Sequence, residues 1–391
     1  MILAGGRGRR MGVFCQERAK PSLHFAGSAR VIDFTLSNCV NSLIPDVAVL
    51  VDYQRQSMAD YLNRWSMSHQ HATNLHVIQP GHGSFLGTAD AVYQNIDFLQ
   101  SHHAERVIVL AGDHVYRMNY QPLLAYHRQT GADATIAVMP VSPEDAHRFG
   151  VVTVKGRVGV TDFIEKPARP SGNLVSMGIY VFSKDVLIRR LREDAANPAS
   201  SHDFGHDIIP LMTRKDKVAA YRFNRYWRDI GTPQAYYESS LDFLPEAPQS
   251  GTETARGILT EVTSELPPRV RGDGNVINSI ISSDCVIKGR VENSVLSPGV
   301  RVEEGAVVRD SVLMADVYVG ERTLVDGCLV GEDAYIDKFC KLGSRNIAAR
   351  DVTVLGDKVA VPPLTYVKAG ATLTPDDGND VGRSVRFVSA K

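Results

Sequence analysis

The sequence contains few cysteines and no long apolar run, and each absence excludes a class of protein. Its 391 residues include five cysteines, none in a Cys-x-x-Cys pair, so neither a zinc site of that kind nor a disulfide framework is predicted. No apolar run reaches the length of a membrane-spanning helix, and the first residues do not read as a signal peptide. We therefore expect a cytoplasmic protein that does not bind membranes.

An excess of charge of either sign is also missing. Lysine and arginine number 43 against 44 for aspartate and glutamate, so no general attraction to nucleic acid is expected, and an anionic substrate must be bound by a local cluster. His69, His71, His76 and His82 lack any recognised metal-ligand spacing, and a metal site among them is not predicted.

A turn rich in glycine and arginine stands at the beginning of the chain, where residues 2–11 read ILAGGRGRRM. Ile2 and Leu3 can end a buried strand, after which glycines allow the backbone to bend at positive φ and to approach a ligand. Arginine side chains suit phosphate oxygens. The turn therefore predicts a phosphate site, with an ordinary turn and solvated arginines as the alternative; its small and basic residues are Gly5, Gly6, Gly8, Arg7, Arg9 and Arg10.

Strand-like and helix-like stretches alternate through about residue 244. Apolar runs of strand length occur at 47–53, 106–114 and 134–141, and residues 88–102 repeat apolar positions at helical spacing. This alternation predicts an α/β domain over residues 1–244, with a mostly parallel sheet covered by helices on both faces. Ligands of such domains bind beyond the carboxyl ends of the strands.

A different rhythm follows a stretch rich in proline, glycine and polar residues at 245–275, which we interpret as a linker. Over 276–391 we predict a solenoid of short strands, with a β-sandwich as the alternative, and an assembly or regulatory role. The prediction is based on aliphatic residues that recur at intervals of five or six: Val276, Ile281, Val286, Val291, Leu296, Val302, Val308, Leu313, Val319, Val325, Val330 and Ile336.

Two aspartates are candidate metal ligands. Asp113 follows the apolar strand in AGDH, and Asp229 lies in YWRDIGT; carboxylates in such places can hold Mg²⁺ against phosphate oxygens. The alternative for each is a helix cap, which for Asp229 would serve a helix beginning near Pro233.

Three further segments could contact an anion or a sugar. Lys20 precedes Pro21, which predicts an extended backbone, and its ammonium either meets a phosphate or is solvated. In FIEKP, Glu165 could accept sugar hydroxyl groups while Lys166 pairs with a phosphate, the alternative being an exposed ion pair. Gly87 and Thr88 open a helix whose free N–H groups suit an anion, although Thr88 could simply cap it.

Together these segments resemble the sugar-1-phosphate nucleotidyltransferase family, and within it the glucose-1-phosphate adenylyltransferase (ADP-glucose pyrophosphorylase) branch. The matching motifs run along nearly the whole chain: LAGGRGRRM, ERAKPSLHFAGSARVIDFTLSNCVNS, GTADAVYQN, VIVLAGDHVYRMNY, FGVV, FIEKP, SMGIYVF, SSHDFGHDIIP and YWRDIGT. The resemblance implies a Rossmann-like nucleotidyltransferase domain followed by a left-handed β-helix.

By resemblance, the protein transfers the adenylyl group of ATP to α-D-glucose 1-phosphate, with Mg²⁺ as cofactor, for glycogen or α-glucan synthesis. A homotetramer and a small-molecule allosteric effector are also implied. The implied catalytic residues are Arg10, Lys20 and Asp113, and the implied metal ligands are Asp113 and Asp229. The implied nucleotide contacts are Leu3, Gly5, Gly6, Gly8, Gln79, Gly87 and Thr88, and the implied sugar-phosphate contacts are Phe85, Gly150, Glu165, Lys166 and Ser176.

Several positions depart from the family's pattern, including the stretch HVIQPGH around Gln79. Glu17 stands where members activated by sugar phosphates often have lysine, so we expect no sensing of a sugar bisphosphate in that way. Phe85 replaces a tyrosine, and His206 replaces a lysine. Two other hypotheses stay open at this point: a catalytically silent regulatory subunit, and a transferase that uses another nucleotide or sugar phosphate.

Overall fold

The computed structural model describes residues 1–247, 257–261, 266–344 and 352–375. Parts of the predicted linker and of the predicted second domain lie outside these residues. The chain forms two compact units. The first contains Met1–Gly6, Thr35–Gly112 and Met118–Arg225, and the second contains Arg7–Phe34, Asp113–Arg117 and Tyr226–Lys391.

Thirteen strands occur before residue 230. They are β1 (Ile2–Leu3), β2 (His24–Phe25), β3 (Ala29–Arg30), β4 (Asp46–Leu50), β5 (Asn74–Ile78), β6 (Arg106–Ala111), β7 (His114–Tyr116), β8 (Ala134–Pro140), β9 (Gly150–Lys155), β10 (Gly159–Glu165), β11 (Leu174–Ser183), β12 (Val218–Arg222) and β13 (Trp227–Asp229). The three runs predicted as strands are therefore confirmed as β4, β6 and β8.

The first unit is built on a nine-stranded sheet in the order β5-β4-β1-β6-β11-β8-β12-β10-β9. The strands β5, β4, β1 and β6 are parallel, and so are β8 and β12. The strand β11 runs antiparallel to both β6 and β8, and β10 is antiparallel to both β12 and β9. The sheet is therefore mixed, because its parallel first half adjoins antiparallel pairs that the alternation of elements does not reveal.

Eight α-helices accompany these strands within residues 1–247. They are α1 (Val31–Asn41), α2 (Arg55–Ser68), α3 (Thr88–Tyr93), α4 (Ile96–Ser101), α5 (Gln121–Thr130), α6 (Lys184–Ala195), α7 (Ile209–Lys215) and α8 (Pro233–Leu241). Short 3-10 turns occupy Arg9–Cys15, Lys20–Ser22 and Ala146–Arg148, and a π-helical turn occupies Phe204–Ile208. Residues 88–102, expected to form one helix, form two short helices, because the helix is interrupted at Gln94 and Asn95 between α3 and α4.

The apolar core of the first unit joins the sheet to these helices. Buried residues of the strands, such as Val109, Ile136 and Phe182, pack with Leu187 of α6 and Ile209 of α7. Because each strand of the parallel half ends at the same edge, the turns that follow β1 and β4 lie together there: the amide of Ala4 donates to the Leu50 carbonyl at 3.0 Å.

The second unit carries a three-sided parallel β-helix. Its strands are β14 (Arg269–Val270), β15 (Asn275–Ile277), β16 (Ile280–Ile281), β17 (Val286–Ile287), β18 (Arg290–Glu292), β19 (Val295–Leu296), β20 (Arg301–Val302), β21 (Val307–Arg309), β22 (Val312–Leu313), β23 (Tyr318–Val319), β24 (Leu324–Asp326), β25 (Cys328–Val330), β26 (Tyr335–Ile336), β27 (Lys341–Gly343), β28 (Thr353–Leu355), β29 (Ala360–Val361), β30 (Tyr366–Val367) and β31 (Thr372–Leu373).

These strands form three six-stranded sheets in which every third strand is a parallel neighbour. The arrangement confirms the solenoid and excludes the sandwich, because no sandwich stacks strands of two or three residues in parallel on three sides. Aliphatic side chains from each coil fill the interior, as the spacing predicts. The prediction of an interior side chain was wrong at Val286, which is only half-buried. Its neighbour Ile287 fills the interior instead and is fully buried. The strand β14 lies within the stretch interpreted as a linker.

A second core in this unit joins the β-helix to segments far away in sequence. Phe14, Phe25 and Tyr236 pack in one cluster with Val312 and Met314, which lie at β22 of the solenoid. The rings of Phe25 and Tyr236 meet edge to face at 5.6 Å. The N-terminal loop and α8 are thus part of the same compact body as the β-helix.

Candidate active site

A buried lysine lies between two carboxylates in the second unit. The Lys20 Nζ donates to Asp113 Oδ2 at 2.9 Å and to Asp229 Oδ1 at 3.1 Å. The lysine side chain is 5% exposed and that of Asp229 7% exposed, whereas Asp113 is more open at 37%. The alternative of a solvated surface lysine is therefore excluded. Lys20 begins a 3-10 turn, so the expectation of an extended backbone there was wrong; the extended residue is Ala19.

The two aspartates lie close together because the short strands β7 and β13 pair with each other. In the antiparallel ladder of β7 and β13, Asp229 is the register partner of His114, which follows Asp113. Neither aspartate caps a helix: α8 is capped by Thr232, whose hydroxyl accepts from the amide of Ala235 at 3.2 Å. The capping alternative therefore fails for Asp229, and Asp113 lies in the turn between β6 and β7.

The ion pairs control the charge state of this cluster. Burial alone would lower the pKa of the Lys20 ammonium, but the two carboxylates outweigh burial and hold that pKa above its ordinary value. Burial alone would raise the pKa of Asp113 and of Asp229, but Lys20 and then His114 hold both pKa values below the ordinary range. All three groups are therefore charged at neutral pH.

Arg10 extends the positive side of the cluster. Its Nη2 lies 3.8 Å from Asp229 Oδ2, and its side chain is 55% exposed, so the guanidinium can reach an anion from solvent. The loop that carries it needs Gly8, which has φ of 58° and where a Cβ would lie 2.9 Å from Cys15 Sγ. Of the three glycines expected to have positive φ, only Gly8 has it, and Gly5 and Gly6 do not.

The donor set fits a divalent cation. One ligand atom each from Asp113, His114 and Asp229 lie within 4.8 Å of one another. Two carboxylates suit a hard cation such as Mg²⁺, which takes its remaining ligands from water and substrate phosphates. Lys20 now bonds the same carboxylates, so a bound cation would share or replace its contacts.

In the first unit, the turn after β1 brings glycines to the edge of the sheet. A Cβ on Gly5 would lie 3.0 Å from the Cβ of Asp52, so this position favours glycine, whereas Gly6 is exposed with open space around it. Leu3 is half-buried within β1. Gln79 is exposed just beyond β5, and Phe85 is half-buried against the main core.

The N-terminus of α3 differs from the expectation. The amides of Ala89 and Asp90 are not free, because both donate to the His202 carbonyl, at 2.8 and 3.2 Å. Thr88 is not the cap: its hydroxyl donates to Asp203 Oδ2 at 2.8 Å. A Cβ on Gly87 would collide with the His202 carbonyl, so this glycine is required by packing.

Three of the predicted sugar-phosphate residues, Gly150, Glu165 and Lys166, lie together in the first unit. Glu165 Oε1 accepts from Lys166 Nζ at 2.7 Å, and Lys166 remains half exposed. Two glycines enclose the glutamate, since a Cβ on Gly150 or on Gly205 would lie 2.8 or 2.6 Å from Glu165 Oε2. Ser176 is buried and donates to the Tyr180 hydroxyl at 3.2 Å.

Comparison with known proteins identifies the family. The profile of the nucleotidyl transferase family matches residues 1–246, and that of the GlmU-like C-terminal hexapeptide family matches residues 268–359.

The chain belongs to the nucleotidyl transferase family.

Full-length relatives within the nucleotidyl transferase family agree with this assignment. The glucose-1-phosphate adenylyltransferase of Acetivibrio thermocellus is 38% identical over 100% of this chain and 96% of its own length. Proteins of the same name from Desulforamulus reducens and Fervidobacterium nodosum are 36% and 38% identical, over 97% and 98% of this chain and 98% and 94% of their own lengths. With the hexapeptide match, the three parallel sheets are those of the left-handed β-helix predicted from the sequence.

Two residues beside the candidate sites were not predicted from the sequence. His114 belongs to the carboxylate cluster but offers no ligand spacing; its position beside Asp113 in AGDH was the only available signal. Asp203 accepts from Thr88 and from the amides of Gly205 and His206, and so fixes the π-helical turn beside Glu165. Among the described residues, no helix is long and apolar enough to cross a membrane.

Proposed function

We propose that this protein transfers the adenylyl group of ATP to α-D-glucose 1-phosphate. A phosphate oxygen of the sugar phosphate forms a bond to the α-phosphorus of ATP, the bond from that phosphorus to the β-phosphate oxygen breaks, and pyrophosphate leaves with the electron pair. The products are ADP-glucose, a donor for α-glucan synthesis, and pyrophosphate. The reaction needs positioning and charge stabilisation rather than a covalent enzyme intermediate.

The Lys20–Asp113–Asp229 cluster is the observation that supports this proposal most strongly. Asp113 and Asp229 would hold Mg²⁺, which supplies positive charge against the triphosphate. Lys20, held charged by both carboxylates, would donate a hydrogen bond to a phosphate oxygen. Arg10 is exposed enough to bind the departing pyrophosphate.

The other roles are assigned residue by residue from the family's motifs. We propose that Leu3, Gly5, Gly6, Gly8, Gln79, Gly87 and Thr88 contact the nucleotide. We propose that Phe85, Gly150, Glu165, Lys166 and Ser176 contact the sugar phosphate. The Glu165–Lys166 pair supports the second assignment, because its carboxylate can accept from sugar hydroxyl groups while its half-exposed ammonium meets phosphate.

Pyrophosphate release tests the function directly. The enzyme is incubated with Mg²⁺, glucose 1-phosphate and one of ATP, UTP, GTP or dTTP, and in a second series with ATP and either glucose 1-phosphate or mannose 1-phosphate. We expect release with ATP and glucose 1-phosphate to exceed every other pair by at least an order of magnitude. Equal release with another nucleotide would overturn the adenylyl assignment, and no release with any pair would favour a silent regulatory subunit.

Regulation and assembly stay predictions. In the second unit, Arg18 pairs with Asp357 at 2.6 Å and with Glu332, and Glu17 accepts from Lys358 at 3.1 Å. Arg18 and Lys358, the two cations near Glu17, are thus each paired with an acidic side chain. This pairing supports the expectation that a sugar bisphosphate is not sensed in that way. The homotetramer and the allosteric effector are proposed from the resemblance, and the cytoplasmic location from the cysteine pattern and the first residues of the sequence.

A further inference from the structure

A second group of potential metal ligands lies in the first unit, among residues that the proposed reaction does not use. Asp46 begins β4, His76 lies in β5, and His102 directly follows α4. The Oδ1 of Asp46 is 4.0 Å from His76 Nε2 and 4.0 Å from His102 Nε2, and one ligand atom of each residue lies within 4.8 Å of the others.

The sheet register creates this group. In the parallel ladder of β4 and β5, Asp46 pairs with Asn74 and Ala48 pairs with His76. Alternate residues of a strand share one face, so Asp46 and His76 face the same side of the sheet. His102 reaches that side from the end of α4, where its carbonyl accepts from Lys184 Nζ at 2.8 Å and its backbone is thereby fixed.

Neighbouring groups already orient the three ligands. The Phe98 carbonyl lies 2.7 Å from His102 Nδ1, so that nitrogen carries the proton and Nε2 is left with the lone pair that a metal requires. Asn74 Nδ2 donates to Asp46 Oδ1 at 3.0 Å. The ring of Phe98 packs against both imidazoles, with centroids 5.1 Å from His76 and 4.3 Å from His102.

We propose that Asp46, His76 and His102 bind Zn²⁺ or a divalent metal ion with similar ligand preferences. Two imidazoles and one carboxylate are a known donor set for zinc, with the fourth position left to water. Ligand atoms around a tetrahedral zinc lie about 3.4 Å apart, so the present 4.0 Å distances need only a small side-chain adjustment. The three side chains are 34%, 42% and 29% exposed, which leaves a route for the ion from solvent.

The metal would stabilise the edge of the sheet. The strand β5 ends the sheet on one side, and its only strand partner among the described residues is β4. A cation bound by Asp46, His76 and His102 ties β5 to both β4 and the end of α4. Because the ion binds only the folded arrangement, it raises the melting temperature. The nearby Lys184 charge limits the affinity, so we expect micromolar rather than nanomolar binding.

The test is a zinc titration of untagged, chelator-stripped protein in an Asp113→Asn background, which weakens the carboxylate cluster of the second unit. We expect one equivalent of Zn²⁺ by calorimetry, a matching Co²⁺ absorption band, and a melting temperature that rises with Zn²⁺. His76→Ala and His102→Ala should each abolish the binding of this equivalent of Zn²⁺ and the rise in melting temperature. His103→Ala, which removes an exposed histidine next to the site, should keep both.

Circular dichroism of each variant checks that the fold is intact, and Asp46→Asn serves as a second, nearly isosteric variant. The proposal would be overturned if the Asp113→Asn protein bound no zinc. It would also be overturned if the His76→Ala and His102→Ala variants bound as much zinc as the Asp113→Asn protein does. The outcome does not depend on the proposed transferase activity, which is measured separately by pyrophosphate release.

Discussion

Lys20 carries a buried positive charge whose position explains the chemistry of the cluster around it. Two carboxylates so close together would repel each other, and burial would favour their neutral forms. The ammonium reverses both tendencies, so the pKa values of Asp113 and Asp229 stay below the ordinary range. The pair is therefore ready to accept a cation at neutral pH without first losing a proton.

Asp113→Asn tests the metal assignment at this scale. The amide keeps the shape of the side chain but removes the charge that would bind Mg²⁺, so we expect kcat to fall by about 10²–10³-fold or more. The melting temperature should change little, because Lys20 retains its ion pair with Asp229. Asp97→Asn, at an exposed position of α4, is the matched control and should have wild-type activity. Unchanged turnover in Asp113→Asn would remove this residue from the mechanism.

The π-helical turn at Phe204–Ile208 shows how an element positions a candidate side chain. Asp203 caps the turn, and the backbone at Gly205 then lies so close to Glu165 that a Cβ at position 205 would displace the glutamate side chain. The sequence motif SHDFG indicated a functional segment, but the contact between Gly205 and Glu165 joins residues forty positions apart. No local pattern predicts such a contact.

Gly205→Ala should displace Glu165. The added Cβ would lie 2.6 Å from Glu165 Oε2, and the carboxylate end is flexible enough to move away. We expect the KM for glucose 1-phosphate to rise about tenfold, or about 1.4 kcal/mol, with a smaller change in the KM for ATP. Gly172→Ala, where a Cβ meets open space, should leave both KM values unchanged. Equal changes for both substrates would contradict a sugar-phosphate role for Glu165.

Sequence patterns predicted the positions of strands and helices better than the direction of the strands or their tertiary contacts. Strands β4, β6 and β8 and the helix at Pro233 lie where apolar runs and a helix-start signal placed them. The direction of β11 was not predictable, because a strand of ten residues is apolar whether its neighbours run parallel or antiparallel. The expectation that the first amides of α3 are free was wrong for Ala89 and Asp90, because both donate to the carbonyl of His202, which is distant in sequence.

At the scale of the molecule, the loop that carries Lys20 belongs to the same compact unit as the β-helix. The hexad spacing predicted the solenoid, yet it could not show that Phe14 and Phe25 share a core with Met314, because these contacts join residues about three hundred positions apart. Ion pairs reinforce the same connection, through Arg18 with Glu332 and Asp357. The solenoid therefore supports the candidate active site, beyond its predicted role in assembly or regulation.

Met314→Ala tests this support. The side chain is fully buried in the shared core, so we expect the free energy of unfolding to fall by about 2–5 kcal/mol. Activity should be lost at a correspondingly lower temperature, because Lys20 lies on the loop that this core holds. Leu364→Ala, on an exposed turn of the β-helix, should change stability by no more than about 0.5 kcal/mol. Similar stabilities of the two variants would contradict the shared core.

Glu332 predicts an acid-dependent part of the stability. Although burial opposes the charged form, His24 and Arg18 lower the pKa of this carboxyl from 4.5 to about 2. Because the folded-state pKa is the lower one, the stabilisation is present above about pH 4.5 and is lost as the pH falls towards 2. Glu332→Gln should therefore be less stable than the wild type by up to about 3 kcal/mol at pH 6.

Urea unfolding at pH 6 and at pH 3 measures this difference, which should narrow at the lower pH. Glu321→Gln, at an exposed position of the same solenoid, is the control and should unfold like the wild type at both values. A difference between Glu332→Gln and the wild type that stays constant with pH would contradict the assignment.

The proposed reaction requires that Asp113 and Asp229 bind a divalent cation together. A crystal of the protein with Mn²⁺ and a non-hydrolysable ATP analogue, measured at the manganese absorption edge, tests it most directly. We expect an anomalous peak within coordination distance of both carboxylates and of phosphate oxygens, with Lys20 Nζ now donating to a phosphate. A peak remote from both aspartates, with Lys20 still bridging them, would contradict it.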